Sequence, residues 1–215
     1  MEHARALFEA GGWAMYPLLA LSVLSVAMTI ERTLFWLRTH GRARPAWIQR
    51  VARAARERDD AKLRSLLKKD RTLYARFASP LLESDDTTKN PAVLDARLRE
   101  GVELVRSGVE RFSGSMNAII TGAPMLGILG TVTGIIRSFR VLGDATIQDP
   151  TAVAGGIAEA LLTTAFGLII ALATLFPYVV FRAQAQRCFD RLEVVGSAIM
   201  ASGKSRRNET ESTDT

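Results

Sequence analysis

The sequence has few of the residues on which disulfide-bonded domains, metal sites and enzyme active sites depend. Its 215 residues include one cysteine and two histidines. The single Cys188 excludes a disulfide within the chain, and His3 and His40 lie outside the longest apolar stretches. Those stretches carry no paired aspartates, serine–histidine set or histidine-rich metal motif, and "GILGTVTG" lacks the lysine of a phosphate-binding loop. We predict that the protein is not an enzyme and binds neither a metal nor a cofactor.

Charged residues are missing from three blocks of the sequence. Residues 13–30, 116–136 and 160–181 contain no Asp, Glu, Lys or Arg. A helix needs about 20 apolar residues to cross a bilayer. The sequence therefore predicts an all-α integral membrane protein with three transmembrane helices. The first block lacks a small-residue cleavage pattern, which indicates a retained helix rather than a signal peptide.

The arginines predict an orientation. They are concentrated after the first block, before the second and after the third, whereas the N-terminus offers only Arg5, offset by Glu2 and Glu9. Because arginine-rich flanks stay in the cytoplasm, we expect the N-terminus outside and the middle segment and tail inside. The same arginines explain the net charge of +6 and the pI of about 10.0, so no nucleic-acid partner is expected.

These patterns divide the chain into eight segments. They are an outer N-terminal segment (1–12), transmembrane helix 1 (13–37), a cytoplasmic helical region (38–115), transmembrane helix 2 (116–140), an outer loop (141–158), transmembrane helix 3 (159–181), a cytoplasmic helix extension (182–200) and a disordered tail (201–215). An apolar stripe from Leu94 to Met116, at steps of three and four, predicts one helix from about residue 91 to about residue 140. A second stripe from Cys188 to Ile199 predicts that the third helix continues and packs antiparallel to it.

Small residues recur along two of the blocks. Gly127, Gly130 and Gly134 in the second block and Gly167 in the third lie at helical spacings that include GxxxG. Such faces let helix backbones approach closely, so these glycines are predicted helix-packing residues. We also expect them to leave small-residue surface that joins copies of the chain into a ring stable in detergent.

The hydroxyls and one carboxylate of these blocks have alternative interpretations. At 1.5 Å per residue, Thr131 lies about 22 Å from the start of the second block and Thr164 about 6 Å from the start of the third, which gives them a similar depth. Their hydroxyls either bond to their own backbone within a packed interface or face a shared polar space. Glu159, at the membrane edge, is either a solvated interfacial residue or part of an ion entry.

Two stretches carry a family resemblance. "APMLGILGTVTGIIRSF" followed by "DPTAVAGGIAEALLTTAFGLIIALATLFPYVVF" resembles the paired membrane signature of the MotA/TolQ/ExbB proton-channel family. "GGWAMYPLLALSVLSVAMTIERTLFWL" is similar to its first helix, so the resemblance covers residues 12–37 and 117–181. Three predicted spans resemble the ExbB and TolQ branch more than flagellar MotA, which has four.

The resemblance implies a site and an assembly. Members form a ring, pentameric in the ExbB type, around the helices of a single-span partner similar to ExbD or TolR that brings the essential aspartate. Thr131 and Thr164 match the pore-facing hydroxyls of the family and Glu159 matches its motif glutamate. Because the three blocks contain no Asp, His or Lys, this chain would line a path that the partner completes. Phe176 before Pro177, and Arg137 and Arg140 near the outer mouth, depart from the family pattern.

The resemblance also implies a function. It predicts a proton-channel subunit of a motor in the bacterial inner membrane, with the N-terminus periplasmic and the C-terminus cytoplasmic. This motor would couple the proton motive force to transport or mechanical work at the outer membrane or envelope, through a TonB- or TolA-like energy transducer. The alternative is a passive oligomeric membrane scaffold that conducts no ions.

Overall fold

The structure is a computed structural model, and its described residues form four long helices. It describes residues 11–42, 49–51, 53–54, 57, 59, 61–62, 65–66, 73, 76–77, 91–144 and 150–213. The long helices are α1 (Met15–Arg42), α2 (Pro91–Val109), α3 (Ser113–Asp144) and α4 (Pro150–Thr213). Helical positions also occur among the described residues between 49 and 77, within the predicted helical region 38–115.

Three of the helices contain stretches that are long and apolar enough to cross a membrane. These stretches are Met15–Thr39, Ser113–Arg140 and Val153–Ser197. They contain the three uncharged blocks of the sequence, so the prediction of an all-helical chain with three candidate spans is confirmed. Pro124 and Pro177 lie inside α3 and α4, positions that helices tolerate when neighbouring groups satisfy the freed carbonyls.

The prediction of one helix from about residue 91 to about residue 140 is wrong. The structure interrupts it between Val109 and Ser113, where Phe112 has a φ of 65°. An aromatic residue rarely adopts this left-handed conformation, and the α-helix cannot continue through it. The amide of Met116 donates to the carbonyl of Phe112 at 2.9 Å, so α3 begins directly after the break. Because the apolar stripe keeps its spacing through this point, the sequence pattern carries no sign of the interruption.

The structure also differs from the outer loop and the disordered tail that the sequence predicts. A loop was expected over residues 141–158, but α3 continues to Asp144 and α4 begins at Pro150, whose fixed φ suits a first helical position. A disordered tail was expected from residue 201, but the helix continues to Thr213. Lys, Arg and Glu are good helix formers, so a polar composition alone did not exclude a helix there.

The chain divides into two compact units. Unit 1 comprises Met1–Arg32 and Phe112–Val180, and unit 2 comprises Thr33–Arg111 and Phe181–Thr215. The core of unit 2 is built from large apolar side chains of several segments: Trp36, Val51, Ala54, Phe77, Leu98, Val105, Val109, Cys188, Leu192 and Val195. The predicted stripes of α2 and α4 thus meet in one hydrophobic core.

The direction of the two helices in unit 2 follows from their contacts. A Cβ built on Gly196 would lie 3.2 Å from Leu98, and the Arg106 guanidinium lies 5.8 Å from the centre of the Phe189 ring. Because the residue numbers rise along α2 while they fall along α4, the two helices run antiparallel. This prediction from the stripes is confirmed.

In unit 1, α3 and α4 also run antiparallel. Contacts join the Gly167 and Ala123 positions, the Gly127 and Thr163 positions, and the Gly134 and Ala160 positions. Ser25 of α1 bonds Thr174 of α4, and Ala14, just before α1, contacts the Gly130 position of α3. Large apolar side chains of the same helices lie exposed on the outside, among them Val23, Val26, Ile128, Leu129, Leu161, Leu168, Leu172 and Phe176.

Candidate functional site

The four predicted packing glycines all lie where α3 contacts α4. A Cβ on Gly127 would come within 2.8 Å of the Thr163 carbonyl oxygen, and one on Gly134 within 2.8 Å of the Ala160 Cβ. On Gly167 it would lie 2.5 Å from the carbonyl oxygen of Ala123. Real Cβ atoms do not approach backbone this closely, so the two helices have their observed separation only because these positions lack side chains.

Gly130 is packed on two sides. Its Cβ would lie 2.8 Å from the Cβ of Thr163 in α4 and 2.9 Å from that of Ala14, just before α1. All four glycines are therefore used inside a single chain. Contrary to our expectation, this small-residue face is not left over to join copies of the protein.

A cluster of threonine hydroxyls occupies the same crossing. The hydroxyls of Thr131, Thr163 and Thr164 each lie 3.1 Å from the carbonyl oxygen of Gly127. The hydroxyls of Thr131 and Thr163 also reach the carbonyl oxygen of Ala160, at 3.0 and 2.7 Å. Thr131 and Thr164, which the sequence predicts at similar depth, contact each other through their hydroxyl oxygens. The structure thus brings these two threonines together across two helices.

The hydrogen bonds of this cluster have more than one arrangement. A carbonyl oxygen has two lone pairs, so Gly127 cannot accept from all three threonines at once. Thr163 can donate to Ala160, and Thr131 and Thr164 can each donate to the Gly127 carbonyl or to the other hydroxyl. A hydroxyl both donates and accepts, so the direction of the bond between Thr131 and Thr164 can reverse without loss of a partner.

The three threonines differ in exposure. Thr163 is buried, with 2% of its surface exposed, whereas Thr131 and Thr164 are half-buried. The two threonines predicted from the sequence are therefore the ones with part of their surface exposed. Thr163 completes the cluster from inside. Thr163 and Thr164 are adjacent in α4, and sequence spacing could not show that both of them bond to α3.

Glu159 lies one residue before Ala160 and is half-buried. Within the described residues it forms no hydrogen bond or ion pair, and the structure does not join it to the threonine cluster. Its carboxylate oxygen lies instead against Gly12, in the turn that precedes α1. Glu159 directly precedes the uncharged block 160–181 of the sequence, and its role stays a prediction.

A second hydroxyl pair joins α1 to α4. The Ser25 and Thr174 oxygens are 2.6 Å apart, and Thr174 donates to the carbonyl of Ile170 at 2.7 Å. Thr174 therefore accepts from Ser25. Thr174 is fully buried and Ser25 is 5% exposed, so this pair does not reach the surface of the chain. Sequence analysis missed the pair because it depends on the register between two helices far apart in the chain.

Comparison with known proteins places this arrangement in a family. The family model described as the MotA/TolQ/ExbB proton channel family matches residues 65–194. The chain belongs to this family. The matched region contains all seven residues that the sequence predicts for the site: Gly127, Gly130, Thr131, Gly134, Glu159, Thr164 and Gly167.

Individual relatives agree with the family model. The chain is 35% identical over 184 residues to putative biopolymer transport protein ExbB-like 3 of Synechocystis sp., covering 84% of this chain and 85% of the relative. It is 34% identical over 196 residues to ExbB-like 1 of the same organism, covering 89% and 76%. The Tol-Pal system protein TolQ of Pseudomonas aeruginosa is 34% identical over 125 residues, covering 54% and 53%.

These relatives confirm the predicted family and its ExbB and TolQ branch. Together with the three apolar stretches, they identify the chain as a multi-pass membrane protein of a family involved in biopolymer transport. The family is one of transport components rather than known enzymes.

Proposed function

We propose that the chain is the proton-channel subunit of an inner-membrane motor that couples the proton motive force to work at the outer membrane or envelope. The observation that carries the proposal is the cluster of Thr131, Thr163 and Thr164 around the Gly127 carbonyl. The cluster provides reorientable hydroxyls on two half-buried threonines of a unit that exposes many large apolar side chains.

The cluster requires a proton carrier from elsewhere. A threonine hydroxyl can hand on a hydrogen bond, but it does not titrate near neutral pH. The three uncharged blocks contain no Asp, His or Lys. A partner similar to ExbD or TolR, with one transmembrane helix and an aspartate, would supply the titrating group beside Thr131 and Thr164. A TonB- or TolA-like transducer would receive the resulting work.

The packing of unit 1 determines where a conducting path can lie. Close contacts at Gly127, Gly134 and Gly167 join α3 and α4 backbone to backbone, so no channel runs between these helices of one chain. A path past Thr131 and Thr164 must therefore run outside the chain. We propose that copies of the chain form a homo-oligomeric ring, pentameric as in the ExbB type, with the two hydroxyls facing a central partner helix.

The orientation of the ring is a further part of the proposal, and its test is direct. In a Cys188→Ala background, single cysteines replace Ala61, Thr146 or Ser205 in intact cells. With the N-terminus periplasmic and the C-terminus cytoplasmic, an impermeant thiol reagent labels the Thr146 variant and neither of the others. Labelling of the Ala61 variant in intact cells would contradict this orientation.

The passive scaffold is the second candidate, because tight α3–α4 packing alone would also suit an inert assembly. Proton uptake by vesicles under an imposed potential separates the two. We expect uptake when the chain is reconstituted with its co-purifying single-span partner, and none when that partner carries asparagine in place of its membrane aspartate. No uptake by either preparation would favour the scaffold, and equal uptake by both would contradict a proton path through the partner's aspartate.

A further inference from the structure

The turn before α1 has a conformation that depends on glycine. Gly12 has a φ of 62°, and its carbonyl accepts from the amide of Met15 at 3.2 Å, at the first residue of α1. L-residues other than Asn and Asp rarely adopt this left-handed conformation. The next bond, from the Tyr16 amide to the Trp13 carbonyl at 3.3 Å, completes the turn.

Two contacts fix this turn on α3. The indole nitrogen of Trp13 donates to the hydroxyl of Thr133 at 3.3 Å. Ala14 is 1% exposed and lies against Gly130, where an added Cβ would approach it to 2.9 Å. The turn is therefore held in place from the side of α3, and its position relative to α4 follows from the α3–α4 packing.

The opposite side of the turn faces the carboxylate of Glu159. A Cβ built on Gly12 would collide with the Oε1 atom of Glu159. Outside the turn itself, Glu159 is the residue that this Cβ would contact. Gly12 thus meets two independent requirements, a left-handed φ and the absence of a side chain. The second requirement exists only because the carboxylate lies there.

We propose that Gly12 is a positioning residue for Glu159. The bare backbone of the turn lets the carboxylate lie against Gly12, and Glu159 is one residue from Ala160, whose carbonyl accepts from Thr131. The purpose of this placement rests on the proposed function: it would present a proton-binding group at the end of the hydroxyl cluster. The placement itself does not depend on conduction.

The test measures how fast a hydrophobic carbodiimide modifies the carboxyl of Glu159, by mass spectrometry of its peptide. The protein is the full chain in phospholipid vesicles without a partner. We expect Gly12→Ala to displace the carboxylate and raise the rate about threefold to tenfold, the population change expected when a side chain leaves its rotamer well. Gly11→Ala is the matched control, because its Cβ would meet the side chain of Met15 and not that of Glu159. An unchanged rate in Gly12→Ala would overturn the proposal.

A rescue variant separates the contact from backbone strain. Glu159→Asp shortens the side chain by one methylene, which removes the collision but leaves the strain of alanine at position 12. We expect Gly12→Ala combined with Glu159→Asp to react at the rate of Glu159→Asp alone. The alternative is that backbone strain, not the position of the carboxylate, changes the rate. In that case Gly12→Ala would raise the modification rate by the same factor in the Glu159→Asp background as in the unmodified chain.

A third variant covers the case in which Gly12→Ala does not fold. Trp13→Phe removes the bond to Thr133 without strain or collision, and we expect a smaller increase in rate with the same sign. No increase in this folded variant would contradict the proposal.

Proton uptake with the partner is then measured on the same variants. If the unmodified chain shows no uptake while the rates change as expected, the proposed function fails and the positioning of Glu159 by Gly12 stands.

Discussion

The interiors of the two units are built in opposite ways. The core of unit 2 consists of large side chains such as Trp36, Phe77 and Leu98, as in a water-soluble domain. Where α3 contacts α4 in unit 1, the interior consists of Gly, Ala and Thr, and large residues such as Leu168 and Phe176 are exposed outside. This difference is the one that lipid around unit 1 and water around unit 2 would produce.

The forces that stabilise the two interiors differ accordingly. In water, removing apolar area from solvent drives packing, so the largest apolar side chains lie inside. Within lipid, burial of leucine against leucine gains little over contact with acyl chains, so close backbone approach and hydrogen bonds stabilise the helices instead. In unit 1 the glycine contacts and the threonine bonds occupy the same crossing, so stability and the proposed conduction depend on the same residues.

The largest effect expected is on the core of unit 2. Phe77 is 1% exposed, and Phe77→Ala should lower the free energy of unfolding by about 3–5 kcal/mol. The matched change in unit 1 is Phe176→Ala, whose ring is 70% exposed, and its cost should stay below about 1 kcal/mol. Denaturant unfolding in detergent measures both. A large loss from Phe176→Ala would mean that its ring is buried against another protein surface rather than lipid or detergent.

A smaller effect tests the glycine contacts of unit 1. At Gly127 an added methyl would meet the backbone of Thr163 and Thr164, and Gly127→Ala should cost about 1–3 kcal/mol. In the same helix, a Cβ on Gly122 meets nothing within 4 Å, so Gly122→Ala should be neutral or slightly stabilising. The two variants change helix propensity equally, so their difference in melting temperature isolates the contact. Equal melting temperatures would contradict the packing of α3 on α4.

The smallest effect on stability is expected at the pair formed by Ser25 and Thr174. Thr174→Val leaves the buried Ser25 hydroxyl without this partner, which should cost about 1 kcal/mol. Adding Ser25→Ala should recover part of the loss, because it removes the group left unsatisfied. If the stability losses of the two single variants simply add in the double variant, the two hydroxyls do not bond. Because the pair is buried, we expect Thr174→Val to change proton uptake little.

The sequence predicted the helices of unit 1 well because lipid imposes a simple rule of length and charge. It also predicted which side of α3 packs closely, since glycines at spacings of three and four must lie on one side of a helix. It did not predict the break at Phe112. Neither a proline nor a glycine marks that position, and phenylalanine rarely adopts the left-handed conformation that Phe112 has.

Contacts that depend on register were also beyond sequence reasoning. The positions of Ser25 opposite Thr174 and of Gly12 opposite Glu159 require the relative shift of α1 and α4. No periodicity within either helix contains that information. The assignment of the glycine face to contacts between copies failed for the same reason: a small-residue pattern shows that a close partner exists, but not whether it lies in the same chain.

The central claim is that Thr131 and Thr164 act in proton movement rather than only in packing. The measurement that tests it most directly is proton uptake by vesicles that hold the chain and its single-span partner. The unmodified protein is compared with a Thr131→Val, Thr164→Val double variant at equal assembled amounts. Valine keeps the volume of threonine, and Thr163 still donates to the Ala160 carbonyl, so the fold should persist.

The Thr174→Val variant is the matched control, since it removes a hydroxyl from the same unit at a buried position. The account predicts that uptake by the double variant falls to the background of vesicles without partner, while Thr174→Val retains most of the unmodified rate. Unchanged uptake by the double variant would contradict the account, reduce Thr131 and Thr164 to packing residues, and leave Glu159 as the remaining proton-pathway candidate in this chain.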